Sequence, residues 1–272
     1  MIKFLIRKFI KNYENIGDKY VREKYGVLSG ALGIICNLIL FILKLIIGLL
    51  MNSIAVISDA FNNITDLGSS IMTIFGSKLS NRPPDKNHPH GHGRYEYIAS
   101  LAVSFIIFGV GLETLRTSIE KIIKPEPIEF NLLSGIILSF SILLKLWMYS
   151  YNKYIGEKIS SSVNRATAQD SLNDAIATTA VLIGSIAEPY INLPVDGILG
   201  LIISALIMYS GFCTAKDSVN LLLGPSPDPE LVDKIKKLLL EDDNIKGVHD
   251  LIVHDYGPNK IMASVHAEVS SK

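Results

Sequence analysis

Asp59-Ala60-Phe61-Asn62-Asn63-Ile64-Thr65-Asp66 and Asp170-Ser171-Leu172-Asn173-Asp174 are acidic stretches set inside otherwise apolar, membrane-length segments. A carboxylate at the centre of a spanning helix costs about 2.5–3.5 kcal/mol on insertion scales. A chain that carries this cost repeatedly, at four-residue spacing, is expected to use the oxygens to hold something positive. At about 100° per residue, Asn62 and Asp66 fall one turn apart on one helix face, with Asp59 and Asn63 in the same arc. Asp170 and Asp174 repeat the arrangement, with Asn173 beside them. Two helices that each offer such a pair supply four ligands to one ion between them. The alternative is helix-packing glue, in which amides and hydroxyls hydrogen-bond between helices. That accounts for Asn62, Asn63 and Thr65 but poorly for the carboxylates. The expectation is a metal ion crossing a membrane at this point.

Composition agrees. Of 272 residues, 49% are hydrophobic and only 19% charged. Apolar runs of about 20 residues match a ~30 Å hydrocarbon core. Six spans are expected, near 27–50, 53–79, 97–119, 132–154, 163–187 and 195–222, the fifth being the most polar. Gly30, Gly33, Gly109 and Gly111 are read as sites of close helix approach. Lysine and arginine crowd one set of connections: the N-terminus, Lys78 to Arg94, Lys153 to Arg165, and Lys216. By the positive-inside rule that side is cytoplasmic, so both termini are cytoplasmic. Basic and acidic residues number 26 each, so net charge does not point to nucleic acid. Two cysteines, Cys36 and Cys213, sit in apolar runs and form neither a disulfide framework nor a metal motif.

Residues 1–24 read as an N-terminal tail without a cleavable signal. Ile2, Leu5, Ile6, Phe9, Ile10 and Tyr13 share a helical face opposite Lys3, Arg7, Lys8 and Lys11, the pattern of a helix lying on an anionic lipid surface. Residues 25–223 form the transport bundle, and 224–272 a small cytoplasmic domain. There Asp228 is a candidate N-cap with Pro229 at the first helical position. Leu231, Ile235, Leu238 and Leu239 make an apolar stripe. Residues 248–256 and 260–269 read as a hairpin around Gly257-Pro258-Asn259. The fold class is thus an all-α six-helix transmembrane bundle followed by a small α+β domain. Helix, strand and strand cover one sheet face poorly, so the domain reads as truncated or completed by dimerisation.

The residue types narrow the ion. All six histidines, His88, His90, His92, His249, His254 and His266, lie outside the acidic stretches. Carboxylate and amide oxygens suit manganese, magnesium or calcium, whereas zinc and copper usually recruit nitrogen or sulfur. Ferrous iron also fits on softness. Between the second and third spans, Asp85-Lys86-Asn87-His88-Pro89-His90-Gly91-His92-Gly93-Arg94-Tyr95-Glu96 places alternate histidines beside an aspartate, a set able to bind a transition metal. A solvated polar loop is the simpler reading.

The loop pattern Asp85-x-x-His88-x-x-Gly91-His92-Gly93-Arg94-x-Glu96 resembles the signature of the cation diffusion facilitator family. Asp59-Ala-x-x-Asn63-x-x-Asp66-x-Gly68-Ser69-Ser70, Asp170-Ser171-x-x-Asp174 and Asp196-Gly197 resemble its second, fifth and sixth helices. The likeness runs in order along nearly the whole chain and omits only the N-terminal tail. It implies a homodimer of six-helix protomers that exports divalent cations from the cytosol, commonly in exchange for protons. It implies a transport site at Asn62, Asp66, Asp170 and Asp174, and a second metal site at Asp85, His88 and His92. It also implies a cytoplasmic site at positions matching His249 and His266, although lone strand histidines are more often surface residues. Zinc-transporting members usually carry histidine at the first fifth-helix position. Aspartate there, with Asn62 on the second helix, resembles the manganese branch and agrees with the oxygen-ligand argument. The family's cytoplasmic domain normally has a further helix and strand after the hairpin.

The mechanism expected is alternating access around the four-residue site, with protons competing for the carboxylates. Asp59 and Asn63 are candidates to guide the ion in or to brace its ligands. Lys44, Glu113, Arg116 and Lys145 read as interfacial or paired charges without a transport role. Mn²⁺ is the favoured substrate, with Fe²⁺, Co²⁺ and Zn²⁺ as alternatives; no cofactor is expected. The protein is expected to be a multi-pass protein of a bacterial inner membrane, in contact with lipid. Rival classes are a passive cation channel, a membrane metal sensor and an intramembrane metalloenzyme. The last lacks any HExxH or GxSxG motif.

Overall fold

The computed structural model describes residues 2–15, 19–80, 84–159, 161–191, 193–257 and 261–269. The helices are α1 (Ile2–Phe9), α2 (Lys19–Met51), α3 (Ile54–Ser80), α4 (Tyr95–Ile123), α5 (Leu132–Lys158), α6 (Ser162–Ala187), α7 (Val195–Leu223) and α8 (Pro229–Leu240). A 3₁₀ turn, Glu188–Tyr190, follows α6, and the strands are β1 (Ile245–Asp255) and β2 (Ile261–Val269). The boundaries follow local chemistry. Asn131 accepts from the Ser134 N–H to start α5, and Ser161 accepts from the Asn164 N–H to start α6. Asp228 accepts from the Glu230 N–H at 2.9 Å and Pro229 opens α8, as the sequence predicts.

The chain divides into two compact units, residues 1–70 with 107–210, and residues 71–106 with 211–272. The first unit buries apolar side chains such as Leu40, Ile47, Leu138 and Ile207, and it also shows apolar side chains outward and keeps polar ones inside. Its outward faces carry Ile35, Leu38, Ile42 and Ile46 on α2, Leu112 on α4, Leu143 on α5 and Ile202 on α7, all exposed. Its interior holds Ser29, Asn37, Lys44, Asn152, Asn164 and Ser204, all buried. Lipid tails are as apolar as leucine, so helices gain little by hiding leucine and are joined instead by close packing and polar contacts. Ser29 Oγ donates to Asn152 Oδ1 at 2.6 Å and accepts from Asn164 Nδ2 at 2.6 Å, which ties α2, α5 and α6 at one point. Among the glycines read as close approaches, Gly111 is one: a Cβ there would meet the Met208 side chain at 2.7 Å. Gly30 and Gly109 are not, since a Cβ at either would meet nothing within 4 Å.

Among the described residues, four helices are long and apolar enough to cross a membrane: Lys24–Met51, Tyr95–Ile123, Leu132–Lys158 and Val195–Leu223. Helices α3 and α6, of 27 and 26 residues, reach a spanning length of roughly 40 Å at 1.5 Å per residue. They are the two expected spans that fall outside the apolar set, because they carry the acidic stretches.

One end of α3 is fixed in an unanticipated way. The Asp196 carboxylate, from α7, accepts from Ser53 Oγ at 2.5 Å and from the N–H groups of Ile54 and Ala55 at 2.8 and 3.2 Å. Lys121 Nζ lies 3.0 Å from the same carboxylate. The first N–H groups of a helix lack partners within it, and here a neighbouring helix supplies the anion. Helix α1 also differs from expectation. Ile6 and Ile10 are buried against Val21, Tyr25, Tyr151 and Ile155, so much of the face read as lipid-binding is taken by the protein's own α2 and α5. Burying an isoleucine gains about 1.5–3 kcal/mol, whichever apolar surface receives it. Phe4 and Phe9 remain exposed.

In the second unit, β1 and β2 pair antiparallel with irregularities between Ile245 and Gly247 and between His249 and Ile252. Nearly all of β2 is exposed, in keeping with a sheet whose face is poorly covered within one chain. Pro258 and Asn259 of the expected turn lie outside the described residues. Arg94 Nη2 donates to the Asp255 carbonyl at 2.9 Å, and its guanidinium stands 4.8 Å from the Tyr256 ring centre. Gly93 permits this approach, because a Cβ would run into the Tyr256 carbonyl oxygen.

Candidate metal centre

Helices α3, α6 and α7 enclose a cavity of about 340 Å³. Asn62 and Asp66 enter it from α3, and Asp170, Asn173 and Asp174 from α6. All four residues of the expected transport site therefore share one cavity. Asp59 and Thr65 line it as well, while α7 contributes Ile203, Leu206 and Ser210. Asn62 Nδ2 donates to Asp174 Oδ1 at 2.7 Å, so the two helices meet through the candidate ligands themselves. Asp174 is buried, Asn62 and Asp66 are partly buried, and Asp170 is exposed. Every donor is a carboxylate or amide, a set that suits hard divalent cations.

Asp59 and Asn63 are placed differently from each other. Asp59 is buried in an ion pair with Lys44 at 2.8 Å. Thr178 Oγ1 accepts from Lys44 at 2.9 Å and donates to Asp59 at 2.8 Å, closing a triangle among α2, α3 and α6. Asn63 turns back on its own helix, donating to the Asp59 carbonyl at 2.9 Å. Its buried Oδ1 has no partner among the described residues.

Lys145, expected from the sequence to be an interfacial or paired charge, is paired with the candidate ligands themselves. Its ammonium, carried by α5, reaches Asp174 Oδ2 at 2.5 Å, Asp66 Oδ2 at 3.1 Å and Asn37 Oδ1 at 2.8 Å. The side chain is 1% exposed. One sequence signal was available: a lysine in the apolar run Leu143-Leu144-Lys145-Leu146-Trp147 needs a buried counter-charge.

In the second unit, Asp85, His88 and His92 bring one ligand atom each within 4.8 Å of one another, the one such group among the described residues. The Asp85 carboxylate accepts from the N–H groups of His88 at 2.7 Å and Asn87 at 2.9 Å. These bonds, with the His88 bond the larger influence, hold its carboxyl below the usual carboxylate range. His88 Nδ1 and His92 Nε2 lie 3.2 and 3.4 Å from the two Asp85 oxygens. His92 is buried, and its Nδ1 has no partner among the described residues. His249 and His266 face each other across the β1–β2 ladder. Each is exposed and takes its own carboxylate, Glu268 for His249 and Asp250 for His266.

An oxygen-lined acidic cavity between helices whose outer surfaces suit lipid defines an integral membrane protein that handles cations. Comparison with known proteins makes the class specific. Residues 31–223 match the cation efflux transmembrane domain, and residues 227–272 match the cation efflux protein cytoplasmic domain. The chain belongs to the cation efflux, or cation diffusion facilitator, family; it is a transporter and not an enzyme. An uncharacterized transporter of Methanocaldococcus jannaschii is 33% identical over 240 residues, 88% of this chain and 84% of that one. The manganese efflux system protein MneS of Bacillus subtilis is 33% identical over 205 residues, 75% of this chain and 71% of its own. MneP of the same organism, also a manganese efflux system protein, is 29% identical over 249 residues, 89% and 83% of the two chains.

Proposed function

We propose that this protein exports Mn²⁺ from the cytosol by proton/metal antiport, with Asn62, Asp66, Asp170 and Asp174 as the transport ligands. The observation that carries the reading is the convergence of these four oxygen-bearing side chains, from two helices, on one cavity. The absence of nitrogen and sulfur from this set favours Mn²⁺ over Zn²⁺, and two similar proteins are named as manganese efflux systems. A divalent ion offsets two of the three carboxylate charges and so lowers the cost of holding them within the membrane. In an inward-open state the carboxylates and the Asn62 carbonyl replace part of the ion's water shell. Rocking of the helices then opens the cavity outward, where protons compete for the carboxylates and release the ion.

The remaining assignments belong to the same reading. Residues 1–24 form the N-terminal tail, 25–223 the transport bundle and 224–272 a cytoplasmic domain through which two protomers pair. Both termini are cytoplasmic, and the membrane is a bacterial inner membrane. Asp85, His88 and His92 hold a second metal ion beside the hairpin, and His249 and His266 form a weaker cytoplasmic site. Asp59 braces the ligand helices through Lys44 and Thr178. The test is Mn²⁺ flux through purified protein in vesicles, with Asp66→Ala and Asp174→Ala compared with wild type. The account expects flux to fall to the protein-free background in both. Flux that persists in either variant would place the transport path elsewhere.

A further inference from the structure

We propose that the Lys145 ammonium is a tethered cation competing for the transport seat: it holds the Asp66 and Asp174 carboxylates between cargo ions, and an incoming divalent cation must displace it toward Asn37. The inference rests on reading Asp66, Asp170 and Asp174 as transport ligands.

An ammonium has three N–H donors and no lone pair. Lys145 has three acceptors within 3.1 Å, one each from Asn37, Asp66 and Asp174. Two of the three are carboxylates of the candidate site, and they come from different helices, α3 and α6. The ammonium therefore sits where an ion shared by those helices would sit. A Mn²⁺ ion bound by the same two oxygens would stand close beside the Lys145 charge. Repulsion between the two cations at so short a separation pushes the ammonium off the shared oxygens. The third acceptor, Asn37 on α2, is outside the acidic set and gives the displaced ammonium a partner to keep. The buried pair of Lys44 with Asp59 reaches neither Asp66 nor Asp174, so it does not take over the role.

A tethered competitor confers selectivity. A monovalent ion entering the seat replaces one positive charge by another and gains little Coulomb energy. A divalent ion gains a full charge against the carboxylates, so Na⁺ and K⁺, abundant in any cell, are rejected where Mn²⁺ is accepted.

The test uses the full-length protein in lipid nanodiscs, with Mn²⁺ binding read by electron paramagnetic resonance of the free ion. Asp170→Ala defines the binding that belongs to the transport site. Wild type should show a component that this substitution removes; without one, the transport-site reading itself fails. Given that component, Lys145→Met should tighten it by at least about tenfold, and Na⁺ should compete in the variant but not in wild type. Lys145→Gln, which keeps a donor toward Asn37, should behave alike. Unchanged or weaker Mn²⁺ binding in folded variants, with no Na⁺ competition, would overturn the proposal and leave Lys145 a fixed counter-charge. Failure of both variants to fold would overturn it too, since an ammonium needed to hold the helices together cannot leave its seat.

Discussion

Replacing Lys44 with methionine removes one partner of an ion pair that is 0% and 2% exposed and leaves the Asp59 carboxylate, among the described residues, with the Thr178 hydroxyl. Breaking a buried pair from one side costs about 3–5 kcal/mol, because the remaining charge is stranded away from water. Asp59→Leu should cost a similar amount by stranding the ammonium. Replacing both partners with apolar residues of similar volume is often neutral or better. The double variant should therefore recover most of the loss, giving a coupling energy of several kcal/mol where distant sites would add within about 0.5 kcal/mol. The assay is equilibrium unfolding in detergent micelles, followed by tryptophan fluorescence from Trp147, the one tryptophan of the chain. Single variants each losing less than about 1 kcal/mol, with additive effects, would refute the claim that this pair is buried and mutually dependent. The double variant also separates two roles for Asp59. If the residue only braces α3 against α6, Mn²⁺ flux survives in the double variant; if it guides the ion, flux falls although stability returns.

Asp196→Ala deprives Ser53, two α3 backbone N–H groups and Lys121 of a shared buried acceptor. It should lower unfolding free energy by about 3–5 kcal/mol, with Asp196→Asn losing less because it keeps an acceptor for the helix end. Gly93→Ala drives a methyl group into the Tyr256 carbonyl and should cost about 1–3 kcal/mol, seen as faster hydrogen exchange at the end of β1. His92→Ala should lower the number of Zn²⁺ or Mn²⁺ ions bound per protomer by one, leaving intact the component that depends on Asp170. His249→Ala, by contrast, removes one exposed residue from an exposed strand pair and should change the melting temperature little.

Short-range spacing carried much of the structure. The Asn62–Asp66 and Asp170–Asp174 pairs could be placed on helix faces from the 3.6-residue period alone, and both pairs line one cavity. The caps at Asp228 and Pro229 were equally local. What stayed hidden depended on distant partners. Lys145 lies 79 positions from Asp66 and 29 from Asp174 in sequence, so no periodicity joins them. Asp196 caps a helix 142 positions away, and nothing in Val195-Asp196-Gly197 says which helix end it will meet. Amphipathicity on α1 identified an apolar face but not its target, because Tyr25, Tyr151 and Ile155 attract isoleucine for the same reason that a bilayer does. Small residues named as packing sites divided likewise: glycine permits close approach, but only the fold decides which glycines receive a neighbour.

In the function proposed above, four oxygen ligands select Mn²⁺ and protons drive its export. The most direct measurement is uptake of Mn²⁺ and Zn²⁺ into inside-out proteoliposomes, with and without a proton gradient, for wild type and Asp170→His. The account predicts Mn²⁺ flux above Zn²⁺ flux in wild type, dependence on the gradient, and a shift toward Zn²⁺ when the histidine nitrogen joins the site. Equal flux of both ions in wild type, no response to the gradient, or a variant with unaltered preference would contradict it.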